Sequence, residues 1–151
     1  MKTKIKNNRP LFDTNVFIGR KIGEHHKDRM FISSVVLYEL IAANIGDSSL
    51  QYYSSLLSKA RKLERLITPN AADWFECSKL IRNLLRGTKS PTIGKTKKII
   101  SAQQQQNDAL IARTATLHDC FVVTENVRDF ERFKPYMNDL IVVPADYFFG
   151  R

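Results

Sequence analysis

The sequence is punctuated by short apolar runs that lack in–out alternation and stop at polar clusters. Pro10-Leu11-Phe12 stops at Asp13-Thr14-Asn15, and Phe121-Val122-Val123 stops at Thr124-Glu125-Asn126. A strand apolar on both sides is covered on both faces, as in a parallel sheet enclosed by helices. Met30-Phe31-Ile32 and Leu140-Ile141-Val142-Val143-Pro144 supply two further runs. Strands alternating with helical stretches predict an α/β fold of three layers, α/β/α, around a central, mainly parallel sheet. Ligands of such sheets collect beyond the C-terminal strand ends, where Asp13 falls.

The stretches between the strands carry helical spacing. Ser33 or Ser34 suits the N-cap of a helix from Val35 to about Ala43, in which Glu39 shares a face with Val35, Val36, Ala42 and Ala43. Leu50, Tyr53, Leu57, Ala60, Leu63 and Ile67 recur as one stripe. Thr68-Pro69 is a cap and first-turn pair for a second stripe of Trp74, Cys77, Ile81, Leu84 and Leu85, ended by Gly87. These two helices are expected to form an antiparallel pair. A helix from about Gln104 to His118 sets Asp108 beside Ile111, Ala112 and Ala115. Residues 24–29 read as a solvated connection with His25 and His26 at the surface, and Tyr147, Phe148 and Phe149 as a packed tail.

A length of 151 residues suits one domain spanning 1–151, and a hydrophobic fraction of 43% without low-complexity tracts marks a globular chain. No apolar run reaches the roughly 18–20 residues of a membrane span, and the basic start leads into no signal-peptide core, so a cytoplasmic protein is expected. Cys77 and Cys120 lack metal or redox spacing and read as small buried apolar residues. The net charge of +9 points to a polyanionic partner. Between Lys79 and Asn107 stand Lys79, Arg82, Arg86, Lys89, Lys95, Lys97 and Lys98 and no acid. Thr88–Lys95 reads as a mobile loop, and Lys89, Lys95, Lys97 and Lys98 are the phosphate contacts this segment suggests.

The chemistry lies in four carboxylates. Asp13 and Asp129 end or follow strands, whereas Glu39 and Asp108 lie on apolar helix faces. An ionised carboxylate among apolar groups costs several kcal/mol unless paired or bound to a cation. Four converging acids would repel one another unless a divalent ion sat among them, and oxygen-only ligands select Mg²⁺ or Mn²⁺. Such a set suits phosphodiester hydrolysis, in which the metal activates water and stabilises charge on the phosphate.

Leu11-Phe12-Asp13-Thr14-Asn15, Ser34-Val35-Val36-Leu37-Tyr38-Glu39-Leu40, Asn107-Asp108-Ala109-Leu110-Ile111-Ala112 and Val123-Thr124-Glu125-Asn126-Val127-Arg128-Asp129-Phe130 resemble, in order and spacing, the motifs of PIN-domain ribonucleases. The likeness is greatest to VapC-type toxins of bacterial toxin–antitoxin pairs and spans about residues 10–144. It implies Asp13, Glu39 and Asp108 as metal-binding and catalytic acids, with Asp129 as the fourth, more variable acid. Thr124 and Asn126 match supporting polar positions, and Thr14 and Ser34 are further positions for orienting ligands. The resemblance also implies Mg²⁺-dependent cleavage of structured RNA such as tRNA or rRNA, a homodimer, and an antitoxin entering the groove. Glu125 competes with Asp129 for the fourth place, and the lysine- and glutamine-rich stretch before Asp108 matches no family feature. The alternatives are a non-catalytic RNA- or protein-binding module on this fold, or an RNA-processing nuclease without an antitoxin.

Overall fold

The computed structural model describes residues 9–44, 46–87 and 95–150, with only the backbone described at 87 and 95–101. The elements run β1 (Pro10–Phe12), α1 (Thr14–Gly19), α2 (Glu24–Lys27), β2 (Ile32–Ser33), α3 (Ser34–Ala43), α4 (Asp47–Lys62), β3 (Leu66–Ile67), α5 (Ala71–Gly87), α6 (Lys95–Leu117), β4 (Phe121–Thr124), α7 (Val127–Glu131), β5 (Val142–Pro144) and α8 (Ala145–Phe149).

Among the described residues every strand pairing is parallel. β4 lies between β1 and β5, with Leu11 opposite Val122 and Val123 opposite Val143. β2 pairs with β3, and a bridge between Leu11 and Phe31 joins the two ladders in the order β3-β2-β1-β4-β5. Leu11, Phe12, Val122 and Val123 are wholly buried, as strands covered on both faces must be. This is the α/β arrangement with a parallel central sheet that the apolar runs predict.

Several local expectations are corrected. The stripe beginning at Leu50 does not continue to Ile67. α4 ends at Lys62, Glu64 turns into the left-handed region at φ 54°, and Arg65 N–H bonds Ala60 O at 2.8 Å, after which Leu66 and Ile67 form β3. A two-residue strand is too short to break a helical period on paper. Leu50 and Leu63 are exposed, and Leu56 is buried with Tyr53 and Ala60. Asp119 repeats the device after α6: its φ is also 54°, and Cys120 N–H bonds Ala115 O at 2.9 Å as the chain enters β4.

The cap before α5 is Asn70, not Thr68. Asn70 and Asp73 exchange backbone-to-side-chain hydrogen bonds at 2.9 and 3.0 Å, a reciprocal box that satisfies two N-terminal donors. Asp73 is buried and also accepts from Arg113 of α6 at 2.9 Å. That ion pair ties α5 along α6, while α4 packs on α3, so the expected antiparallel pair is replaced by two others. α6 begins at Lys95, well before Gln104. The loop expected at Thr88–Lys95 lies, up to Gly94, outside the described residues.

Residues 24–27 form a one-turn helix, and His26 is half-buried against Phe148 and Phe149, with ring centroids 5.4 and 5.0 Å away. Burial and the charges of His25 and Arg29 hold its pKa below the usual imidazole value. Phe148 and Phe149 pack on Phe12 at 5.3 and 5.7 Å, anchoring α8, but Tyr147 faces solvent. Cys77 and Cys120 are buried free thiols, as expected, and burial raises both pKa values to about 11.

Candidate functional site

The C-terminal ends of β1 and β4 are adjacent because the two strands pair in register, so the polar residues following each meet. Asp13 is the N-cap of α1: its Oδ1 accepts Thr14 N–H at 2.8 Å, and its own N–H reaches Val123 O at 3.0 Å. Thr124, wholly buried, donates its hydroxyl to Asp13 Oδ2 at 2.8 Å. The same hydroxyl oxygen accepts from Asn15 Nδ2 at 3.2 Å and from Asn126 N–H at 3.0 Å, and Asn15 Oδ1 accepts Glu125 N–H at 3.1 Å.

Above this floor opens a cleft of about 570 Å³ lined by Asp13, Thr14, Glu39, Asp108, Asn126 and Asp129, with Asn15, Ile18, Tyr38 and Phe130 among its further walls. All four acids of the sequence reading therefore share one cleft, delivered from β1, α3, α6 and α7. Thr124 lies beneath it, bonded to Asp13. Ser34 is placed elsewhere: it lines a neighbouring cavity with Asn107 and Trp74. Lys89 lies outside the described residues, and Lys95, Lys97 and Lys98 fall in the first turn of α6, where only the backbone is described.

Of the two acids competing for the fourth place, Asp129 is the one that lines the cleft. Glu125 turns away to Arg20, whose guanidinium also meets Asp146 at 2.5 Å and lies over the Phe149 ring at 5.2 Å. Asp129 instead accepts from Asn126 Nδ2 and lines the cleft.

Electrostatics mark two of the acids. Burial pushes Asp13 up to about 6, against the lowering effect of its bonds from Thr124 and Thr14, with Glu39 and Asp129 adding repulsion. Asp108 rises to about 7, through burial first and the Asp13 charge second, although Arg132 opposes the shift. These are the shifts expected of like charges gathered in a partly dry site.

Three cleft neighbours escaped the sequence reading as site residues. Asn107 donates to Glu39 Oε1 at 2.6 Å, while Thr14 donates its hydroxyl to Glu39 Oε2. Arg132 Nη2 reaches Asp108 Oδ2 at 3.1 Å. Asn15 joins the loops under Asp13. Asn107 and Asn15 lay within the quoted motifs, but their spacing does not show which carboxylate each would hold.

The donor set is all oxygen, which is the chemistry of a hard divalent cation. Two raised carboxylate pKa values fit it too, since a cation would reverse their shared repulsion. Among the described residues no three Asp, Glu, His or Cys side chains converge closely enough to ligate one ion. Each acid is instead directed at a donor of the chain itself: Asp13 at Thr124, Glu39 at Asn107, Asp108 at Arg132 and Asp129 at Asn126.

By sequence, the chain matches no protein-family model and no curated protein. By structure it is similar to a chain of the DNA-bound VapBC complex of Salmonella typhimurium, with 20% identity, TM-score 0.58, and 92% of this chain and 99% of that one covered. VapBC-1 of nontypeable Haemophilus influenzae gives 19% identity and TM-score 0.54 over 91% of this chain and 98% of the other. VapBC2 of Rickettsia felis, bound to a promoter DNA fragment, gives 24% and 0.52 over 90% and 98%. The fold is thus the PIN-like α/β arrangement of these proteins.

Proposed function

We propose that the chain is a Mg²⁺-dependent endoribonuclease and the toxin of a toxin–antitoxin pair. The observation that carries this reading is the single cleft in which Asp13 and Asp108, both with raised pKa values, stand with Glu39 and Asp129 at the C-terminal edge of a parallel sheet. The shared fold with VapBC complexes supports the toxin reading, and with it a cognate antitoxin, while the homodimer is what the sequence resemblance implies.

In this reading Asp13 and Asp108 hold the cation, Glu39 and Asp129 complete its surroundings, and Mn²⁺ is an acceptable substitute. The bound ion supplies activation of water and neutralises charge on the phosphate oxygens. The protein's part is positional. Thr124 and the Thr14 N–H fix the Asp13 carboxylate, Asn107 and Thr14 orient Glu39, and Asn126 orients Asp129. Arg132, released from Asp108, remains beside the cleft as a cation for the polyanion. The net charge of +9 draws RNA to an acidic pocket that would otherwise repel it.

Purified protein incubated with tRNA or rRNA is expected to cleave it with Mg²⁺ and to stop with EDTA. Asp13→Ala and Asp108→Ala should each abolish cleavage. Full activity in either variant would remove the assignment. A chain that neither cleaves nor binds Mg²⁺ or Mn²⁺ by calorimetry would instead be a binding module on this fold.

A further inference from the structure

The acidic cleft does not end at its own walls. Tyr38, 68% exposed on α3 one residue before Glu39, lines both the cleft and a second cavity of about 390 Å³. That second cavity is neutral, walled by Thr68, Pro69, Gln106 and Asn107 together with Trp74. Trp74 and Gln106 in turn line a third cavity of about 430 Å³ between α5 and α6, where Arg82 and Arg86 stand exposed. The three cavities therefore share walls in sequence. An aromatic ring marks each junction, carboxylates occupy one end and guanidinium groups the other.

We infer that this run of cavities is a track for single-stranded RNA, leading from the acidic cleft over Tyr38 and Trp74 to the arginines of α5. The inference rests on the nuclease reading and extends it by naming the path of the strand and the side chains that carry it. Exposed aromatics spaced along a groove accept the faces of unpaired bases, and arginines accept phosphates. The charge supports RNA over an apolar partner: Arg82 and Arg86 are the charged residues that line the distal cavity, and both are exposed. A paired helix could not present base faces to the two rings, so the strand must be unpaired, as in a loop or an end.

Trp74 is the chain's single tryptophan, so its emission reports on the track directly. The full chain is titrated in EDTA, without cleavage, with a fluorescein-labelled single-stranded oligoribonucleotide of about eight residues and with a duplex of the same sequence. The single strand should quench Trp74, and the duplex should leave it unchanged. By anisotropy, Tyr38→Ala and Trp74→Ala should each weaken binding about tenfold without altering its salt dependence. Arg82→Ala/Arg86→Ala should flatten the slope of log affinity against log salt by about 1.4, the loss of two single-strand phosphate contacts. All these side chains are partly or fully exposed, and circular dichroism checks that each variant folds.

Quenching with an unchanged slope in the arginine variant overturns the distal end of the track. Silent Trp74 emission with unaltered affinities overturns the whole. If the arginine variant leaves RNA binding intact but changes the sedimentation of the chain, the groove is an interface between copies and the track is again overturned. Failure of the nuclease reading looks different: quenching and variant effects would persist while Mg²⁺ produces no cleavage.

Discussion

Thr124, wholly buried at the end of β4, donates its hydroxyl to Asp13 at the end of β1 across 2.8 Å. The two residues are 111 positions apart, and the parallel register of Phe12 with Val123 makes them neighbours. That one bond holds an acid 6% exposed, which burial would otherwise drive further toward its neutral form.

Thr124→Val removes the only donating hydroxyl that Asp13 meets in the floor of the cleft among the described residues. The variant should lose about 1–2 kcal/mol at pH 8 and less at pH 5, where Asp13 is protonated. Urea denaturation at the two pH values measures this, and equal losses at both would disconnect Thr124 from the charge on Asp13.

Asp13 and Asp108 titrate near 6 and 7 when folded, against an ordinary value of 3.8. The folded state therefore binds more protons than the unfolded one between pH 4 and 7. Their stabilising contribution is complete below pH 4 and lost as pH rises through 6 and 7. Between pH 5 and 8 the wild type should lose about 2–4 kcal/mol from these groups. Asp108→Asn should flatten the decline and be the more stable protein at pH 8. Parallel pH profiles for the two proteins would rule out Asp108 as the source.

A divalent cation binding only the folded cleft should reverse that loss. At a free concentration of 100 times its dissociation constant, Mg²⁺ or Mn²⁺ adds about 2.7 kcal/mol. The melting temperature at pH 7.5 should rise with either ion, fall back with EDTA, and stay fixed in Asp13→Ala. An unresponsive wild type would speak against a metal in this cleft.

Glu64 and Asp119 take left-handed backbone at φ 54° to turn α4 into β3 and α6 into β4. A side chain there costs about 1–2 kcal/mol relative to ordinary backbone, a strain glycine avoids at some entropic cost. Glu64→Gly should thus stabilise the chain by about 0.5–1 kcal/mol, and Glu64→Val should destabilise it by about 1 kcal/mol or more. Chemical denaturation distinguishes the two signs, and a destabilising glycine would mean that the Glu64 side chain contributes more than its backbone costs.

The elements with strong local signals were legible in the chain: Phe121–Thr124 as a strand, α3 with its cap narrowed to Ser33 or Ser34, of which the structure uses Ser33, and the apolar face carrying Asp108. β3 was not, because Leu66 and Ile67 prolong a helical period that only the left-handed turn at Glu64 breaks. Nor was the partner of α5. Its stripe shows that it packs, but Asp73 selects α6 by reaching Arg113, a contact spanning 40 positions.

By itself the sequence determined the inward faces of the strands Leu11–Phe12 and Phe121–Thr124 and of the helix around Ile111, since helical and strand periods are properties of neighbouring residues. Its order of strands and acids placed Asp13 at a strand end and Glu39 and Asp108 on apolar faces. Which donor meets which acid was decided only in three dimensions: Thr124 under Asp13, Asn107 on Glu39, Arg132 on Asp108, and Glu125 drawn off to Arg20. Hydrogen bonds and ion pairs act over about 3 Å, and that proximity follows from sheet register and helix packing. No spacing along the chain encodes it.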